Sequence, residues 1–271
     1  MTELLSTDLY KLVEGRHGRF LANPRDIYIG RALIEYGEFS EGECILLNKL
    51  LRPGSVAIEA GANMGALTVP MAKQVGEKGL IYAFEPQLSV FQQLCANVAL
   101  NDLVNVQAFH AGCGARSETL SLARVNPGRE NNFGGLSLDH LRAEQGIDVP
   151  VHRLDALLDP PRLQLLKADV EGMELQVVRG AAGLIAQHRP ALYLETWEKN
   201  SQALFEDLLG RDYKLFWHLP RMFNPDNFNA NPHNEFGNIV SQNVLCIPAE
   251  VKVEIKGMRP VSGVDDFPNK W

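Results

Sequence analysis

The chain has 271 residues, 45% hydrophobic and 22% charged, the makeup of a globular protein with a substantial core. Its formal net charge of −7 disfavours a broad nucleic-acid surface and suits a small or uncharged substrate. No apolar run reaches the roughly 18 residues of a membrane span, and the start MTELLSTDLYKLVEG lacks a basic-then-apolar leader pattern, so a cytoplasmic protein without a membrane partner is expected.

The first fifty residues read as helices: an apolar-periodic start, a turn and helix entry at Asn23-Pro24-Arg25-Asp26, and a helix from Phe39 to Leu51 closed by Pro53-Gly54. Residues 1–52 are therefore expected to form an N-terminal helical cap. From Ser55 short apolar runs alternate with helical stretches, the pattern of βα units on a mostly parallel sheet. The expected strands are Ser55–Ala60, Leu80–Phe84, Val104–Phe109, Leu163–Ala168 and Ala191–Leu194, with helices over Gly65–Val75 and Ser89–Leu100. The irregular stretch Gly112–Asp159 offers two extra strands, Thr119–Val125 and Val149–Leu154. A helix over Ser201–Leu209 precedes Tyr213–Leu219 and Val244–Ile247, which suit an antiparallel pair at the sheet edge. The expected fold is α/β, Rossmann-like, with a seven-stranded sheet carrying one antiparallel strand. Residues 53–250 would form the core and 251–271 a tail. Between the last two strands, His218–Ser241 is rich in Asn, Pro, His and Phe and exceeds the length of a mere connection. It reads as an acceptor-binding loop or as a disordered one.

Cys44, Cys95, Cys113 and Cys246 form no CxxC pair, so neither a zinc site nor a redox dithiol is indicated, and they read as reduced packing residues.

The strongest motif is Ile58-Glu59-Ala60-Gly61-Ala62-Asn63-Met64-Gly65, where a buried strand breaks into a glycine turn that opens a helix. Gly61 and Gly65 let backbone approach a ligand, and free N–H groups at the helix start would face an anionic group. That suits any nucleotide-like cofactor, although Asn63 stands where a dinucleotide fingerprint wants glycine, which weakens a nicotinamide oxidoreductase reading. In Ala83-Phe84-Glu85-Pro86 an apolar strand ends in an acid 24 residues after Gly61, placed to accept both hydroxyls of a ribose. In Leu166-Lys167-Ala168-Asp169-Val170-Glu171-Gly172-Met173-Glu174, Asp169 and Glu171 follow a strand's carboxyl end, where open α/β sheets bind ligands, and Glu174 suits helix capping.

These three motifs resemble the FkbM family of methyltransferases over roughly Asp26 to Glu195. The resemblance implies a class I methyltransferase fold, S-adenosylmethionine (SAM) as cofactor, and O-methylation of sugars, polyketides or related natural products. Within it Glu59, Gly61, Ala62, Asn63, Gly65, Glu85 and Asp169 become the cofactor-binding residues. The acid before the glycine turn is commonly Asp in the family; Glu59 would shift the cofactor's amino group without abolishing its partner. A SAM-binding regulatory module without transferase activity is the competing reading.

An alcohol is a poor nucleophile at neutral pH and benefits from a positioned base or a metal. Asp169, Glu171 and His218 are the candidate bases, the last because an imidazole titrates near working pH; beside Trp217 and Leu219, His218 reads equally well as a packed residue. The carboxylates, with Glu195, could instead hold Mg²⁺, but no tight ligand spacing marks a metal site, and Mg²⁺ is the less favoured reading. Trp197 and Phe216 are expected in the core, and Asp155 is expected to cap the turn that follows it.

Overall fold

The computed structural model describes residues 3–268. In chain order the elements are β1 (Glu3–Ser6), β2 (Lys11–Gly15), β3 (Gly18–Ala22), α1 (Ile29–Tyr36), α2 (Glu41–Leu50), β4 (Val56–Ala60), α3 (Thr68–Val75), β5 (Leu80–Phe84), α4 (Leu88–Leu100) and β6 (Val106–Phe109). There follow β7 (Gly112–Cys113), β8 (Glu118–Leu122), α5 (Leu138–Leu141), β9 (Ile147–His152), α6 (Leu154–Leu157), β10 (Leu165–Ala168), α7 (Glu174–Gly180) and α8 (Ala182–His188). The chain closes with β11 (Ala191–Glu195), α9 (Glu198–Leu209), β12 (Tyr213–His218), β13 (Asn243–Pro248) and β14 (Arg259–Pro260).

The main sheet has the order β14-β12-β13-β11-β10-β4-β5-β6. Strands β6, β5, β4, β10 and β11 run parallel, while β13 is antiparallel to both its neighbours. Seven long strands with β13 reversed match the expectation, and the two-residue β14 adds a reversed edge. The central strands β4 and β10 are buried at every position because both faces are covered. One face packs Ile58, Phe84, Leu166, Leu192 and Trp217 under α7, α8 and α9; the other packs Ala57, Ile81, Leu165, Tyr193 and Leu245 against α2, α3 and α4. Among the described residues no helix is long and apolar enough to cross a membrane.

The cap departs from expectation. Residues 3–22 form an antiparallel sheet, β1-β2-β3, and only α1 and α2 are helical. Gly15 and Gly18 pair across the turn Arg16-His17, a two-residue hairpin, and Val13 and Phe20 pair on the inward face. The sheet docks on α4, where Asn97 Oδ1 accepts the Leu21 N–H (2.6 Å) and Asn101 Oδ1 that of Arg19 (3.1 Å). The helix entry is as expected: Asp26 accepts the N–H groups of Tyr28 (3.2 Å) and Gly30 (3.1 Å) at the start of α1.

The extra strands form a second small sheet, β7-β9-β8. Asp155 caps α8, not its own turn, by accepting from Gly183 (2.9 Å) and Leu184 (3.0 Å). The tail also has a place in the fold: β14 pairs with β12, and Val261, Val264 and Phe267 pack on the core, while residues 1–2 and 269–271 of the expected cap and tail lie outside the described residues. Cys44, Cys113 and Cys246 are buried and all four thiols are free.

Candidate functional site

Register places the site. Ala60 pairs with Phe84 and with Ala168, and Ala168 with Leu194, so the next residues, Gly61, Glu85, Asp169 and Glu195, fall in one row at the carboxyl ends of four parallel strands. Glu195 pairs in turn with Asn243, and Asn243 with His218. Above this row opens a cavity of about 380 Å³, within the range of small-molecule sites. Five carboxylates line it, Glu43, Glu85, Asp169, Glu171 and Glu195, and among the described residues no Lys, Arg or His does.

Glu85 sits where the motif put it, at the cavity wall, with Oε2 accepting the Asn63 N–H (3.0 Å) and Oε1 that of Gln87 (2.8 Å). Each oxygen keeps a lone pair for a ligand hydroxyl. Burial raises its pKa to about 7, against the two backbone N–H bonds that favour the ionised form. Gly61 also lines the cavity; at φ +78° its backbone runs so close to β10 that a Cβ would overlap the Asp169 carbonyl oxygen.

Within the glycine turn itself, residues 61–65, all the N–H groups have partners in the chain. Those of Gly61 and Ala62 donate to the Phe84 carbonyl, those of Asn63, Met64 and Gly65 to Glu85, Asn63 and Ala62. The helix proper starts only at Thr68, because these internal bonds complete a turn first. Asn63 lines the cavity, whereas Ala62 is buried away from it and Gly65 lies against Leu94.

Glu59 is also removed from the cavity. Its carboxylate accepts from Thr68 Oγ1 (2.6 Å) and stands 3.7 Å from Lys167 Nζ, with both Glu59 and Lys167 almost fully buried. Burial raises the Glu59 pKa to about 7, while Lys167 and Thr68 oppose it. Burial by itself would lower the Lys167 pKa, but Asp169, Glu59, Glu43 and Glu195 together raise it, so the ammonium stays charged. Local sequence gives Lys167 no role of its own. Its signal was the period of two that puts it on the same face as Asp169, in register with Glu59.

Asp169 and Glu171 both reach the cavity. Asp169 Oδ2 is 3.5 Å from Lys167 Nζ, and its side chain remains 38% exposed, open to a ligand. Glu171 is held at φ +56°, a conformation rare outside glycine, by a loop in which Glu174 accepts the N–H groups of Val170 (3.0 Å) and Gly172 (3.2 Å). Burial, with Asp169 and Glu174, raises the Glu171 pKa to about 8.

His218 does not reach the cavity. Its Nδ1 meets the Tyr193 hydroxyl at 2.7 Å, and burial lowers its pKa to about 4, so it is a packed, neutral residue. Trp197 is no core residue: it is 43% exposed, lines the cavity and donates from Nε1 to Glu195 (3.2 Å). Phe216 is half-buried.

The segment His218–Ser241 is ordered and contributes Met222, Ile239, Val240 and Ser241 to the wall, but not its asparagines. Asn224 donates to Glu38 (2.8 Å), Asn229 to the carbonyls of Ile34 and Glu35, Asn231 to that of Glu35, and Asn227 and Asn234 within the segment. They satisfy backbone in an irregular loop lying against α1. Phe223 and Phe236 pack on Tyr36, and Phe228 is exposed.

Three buried polar atoms on cavity-lining side chains lack a partner: Gln87 Oε1, Thr196 Oγ1 and Asn243 Nδ2. Such atoms in a folded protein call for a ligand or water.

Comparison with known proteins agrees with the motifs. "Methyltransferase 1" of Beauveria bassiana is 30% identical over 145 residues, 46% of this chain and 58% of that protein. "Methyltransferase sdnD" of Sordaria araneosa is 28% identical over 185 residues, 55% of this chain and 71% of that one. A crystal structure of methyltransferase FkbM from Methylobacillus flagellatus is 16% identical with a TM-score of 0.48, covering 76% of this chain and 50% of that one. The chain thus spans little more than half the length of the first of these relatives. Residues 59–217, more than half of the chain, match the methyltransferase FkbM domain, and the chain belongs to that family.

Proposed function

We propose that the protein is a SAM-dependent methyltransferase that methylates a hydroxyl group of an uncharged small molecule, of the sugar or natural-product class. The observation that carries the reading is the cavity wall: five carboxylates and, among the described residues, no cationic side chain, at the carboxyl ends of the strands that hold the family motifs. SAM carries a sulfonium cation, which such a wall attracts, whereas the pyrophosphate of a nicotinamide cofactor would be repelled. Glu85 fits a ribose through its two spare lone pairs, and the unpartnered Gln87 Oε1 beside it is ready to accept from a ligand N–H or O–H.

Bound there, SAM supplies an electrophilic methyl group. The chain's share of the work is alignment and removal of a proton. Tyr28, Phe39, Leu136 and Met222 give the cavity apolar surface that excludes water and holds an acceptor in line. Asp169, whose Oδ2 stands 3.5 Å from Lys167 Nζ, is placed to accept the proton of the acceptor hydroxyl. Glu171 stands beside Asp169 at the cavity wall.

Calorimetry with SAM, S-adenosylhomocysteine, NAD and NADP tests the cofactor, and radiolabelled methyl transfer to a panel of sugars and phenols tests the acceptor. Affinity for NAD with none for SAM would remove the reading; SAM affinity without transfer to any hydroxyl acceptor would leave a binding module.

A further inference from the structure

Asp169, Glu171 and Glu195 come from the ends of two adjacent strands and the strained loop between them. Each offers an oxygen, and the three oxygens lie within 4.8 Å of one another. Lys167 approaches Asp169 Oδ2 at 3.5 Å, and among the described residues no cationic side chain lines the cavity itself. Three carboxylates this close repel one another unless they share protons or a cation sits among them.

Two further side chains at the same place are unsatisfied. Thr196, next to Glu195, is 1% exposed with Oγ1 unpartnered, and Asn243, in register with Glu195, is 3% exposed with Nδ2 unpartnered. Neither orphan is explained by the packing, and both residues line the cavity. A half-turn of the Asn243 amide exchanges its nitrogen for its oxygen, which would then face the carboxylates.

We propose that Asp169, Glu171 and Glu195 bind one hard divalent cation, Mg²⁺ or Mn²⁺, at the acceptor end of the cavity, with Thr196 and Asn243 completing the shell directly or through water. The three carboxylates and the Thr196 hydroxyl are oxygen donors as they stand, and the Asn243 amide supplies its oxygen after the half-turn; an all-oxygen set selects these ions over zinc or copper. Near the hydroxyl-accepting end the ion is a Lewis acid that lowers the acceptor's pKa. The ligand set does not depend on the cofactor reading, and the site is tested with the metal alone.

Mn²⁺ is titrated into the full chain after chelator treatment, and free Mn²⁺ is followed by electron paramagnetic resonance. The expected result is one bound ion per chain, displaced by Mg²⁺. Glu195→Gln and Glu171→Gln should each weaken binding by more than about tenfold. Asn243→Ala should weaken it by a smaller factor. Melting curves identify any variant that fails to fold, in which case the remaining two carry the test. No bound Mn²⁺ at about millimolar concentration, or an affinity unchanged in the folded variants, overturns the site. S-adenosylhomocysteine affinity measured on the same samples reports separately on the cofactor reading.

Discussion

The ammonium of Lys167 stands 3.5 Å from the carboxylate of Asp169, a cavity-lining acid, from a position only 2% exposed. The same nitrogen serves Glu59 on its other side, so one buried cation holds a cavity acid and a core acid together. Lys167→Met removes the charge while keeping much of the volume. It leaves Glu59 buried without a counter-charge, at a cost of about 3 kcal/mol or more. Without Lys167 the Glu59 pKa rises further, so the loss should be larger at pH 8 than at pH 5.5, where the carboxyl can take up a proton. Urea unfolding at the two pH values checks this; equal losses would mean that the ion pair is not what stabilises β4 against β10.

Asp169→Asn keeps the shape and loses the proposed proton acceptor. Turnover should fall by about 10²–10⁴, the usual contribution of a positioned base, while the melting temperature changes little. Single-turnover transfer with saturating acceptor measures the step. Full activity in this variant would move the base elsewhere.

Glu85→Ala removes the proposed ribose acceptor and also frees the N–H groups of Asn63 and Gln87. SAM affinity should drop by about 1.5–3 kcal/mol, roughly ten- to a hundredfold or somewhat more. Calorimetry on the folded variant decides it, and unchanged affinity would reduce Glu85 to a structural cap.

Stability should decline as pH rises. Burial raises Glu59, Glu85 and Glu174 to about 7 and Asp26 to about 6 in the folded state, above their unfolded values of about 4. The folded chain then binds more protons than the unfolded one, so this contribution is full below about pH 4 and lost through pH 6–7. Arg189 holds Glu250 down at about 2, and that contribution is already complete above pH 4. The melting midpoint should therefore be higher at pH 5.5 than at pH 8; a midpoint that climbs over this range would contradict the burial of these acids.

Glu38 is buried at the base of the long segment, accepting from Arg16 Nε (2.6 Å), Asn224 Nδ2 (2.8 Å) and the Phe228 N–H (2.9 Å). Glu38→Ala should cost about 2 kcal/mol and speed hydrogen exchange over residues 224–236. Replacing the asparagines should likewise lower stability with little change in acceptor preference. A changed preference without a stability loss would return them to the acceptor site.

The parallel strands, their motifs and the placement of Gly61, Glu85 and Asp169 were legible because a strand ending in a glycine or an acid states its own geometry. The N-terminal sheet was not, since its apolar spacing also fits a helix and only the turn Gly15-Arg16-His17-Gly18 separates the two. The asparagine loop misled because an amide that can bind a polyol binds a backbone carbonyl equally well. Lys167, Thr196 and Asn243 gain their meaning from register between strands distant in the chain, which no local pattern carries.

The position of β13 bears on how the protein is made. It slots between β11 and β12 although it follows both in the chain, so during synthesis β11 waits with an open edge and Glu195 beside it. The cavity wall is complete only when Asn243 has emerged from the ribosome and joined Glu195. A nascent or truncated chain that stops short of β13 would carry every family motif and still lack a closed site.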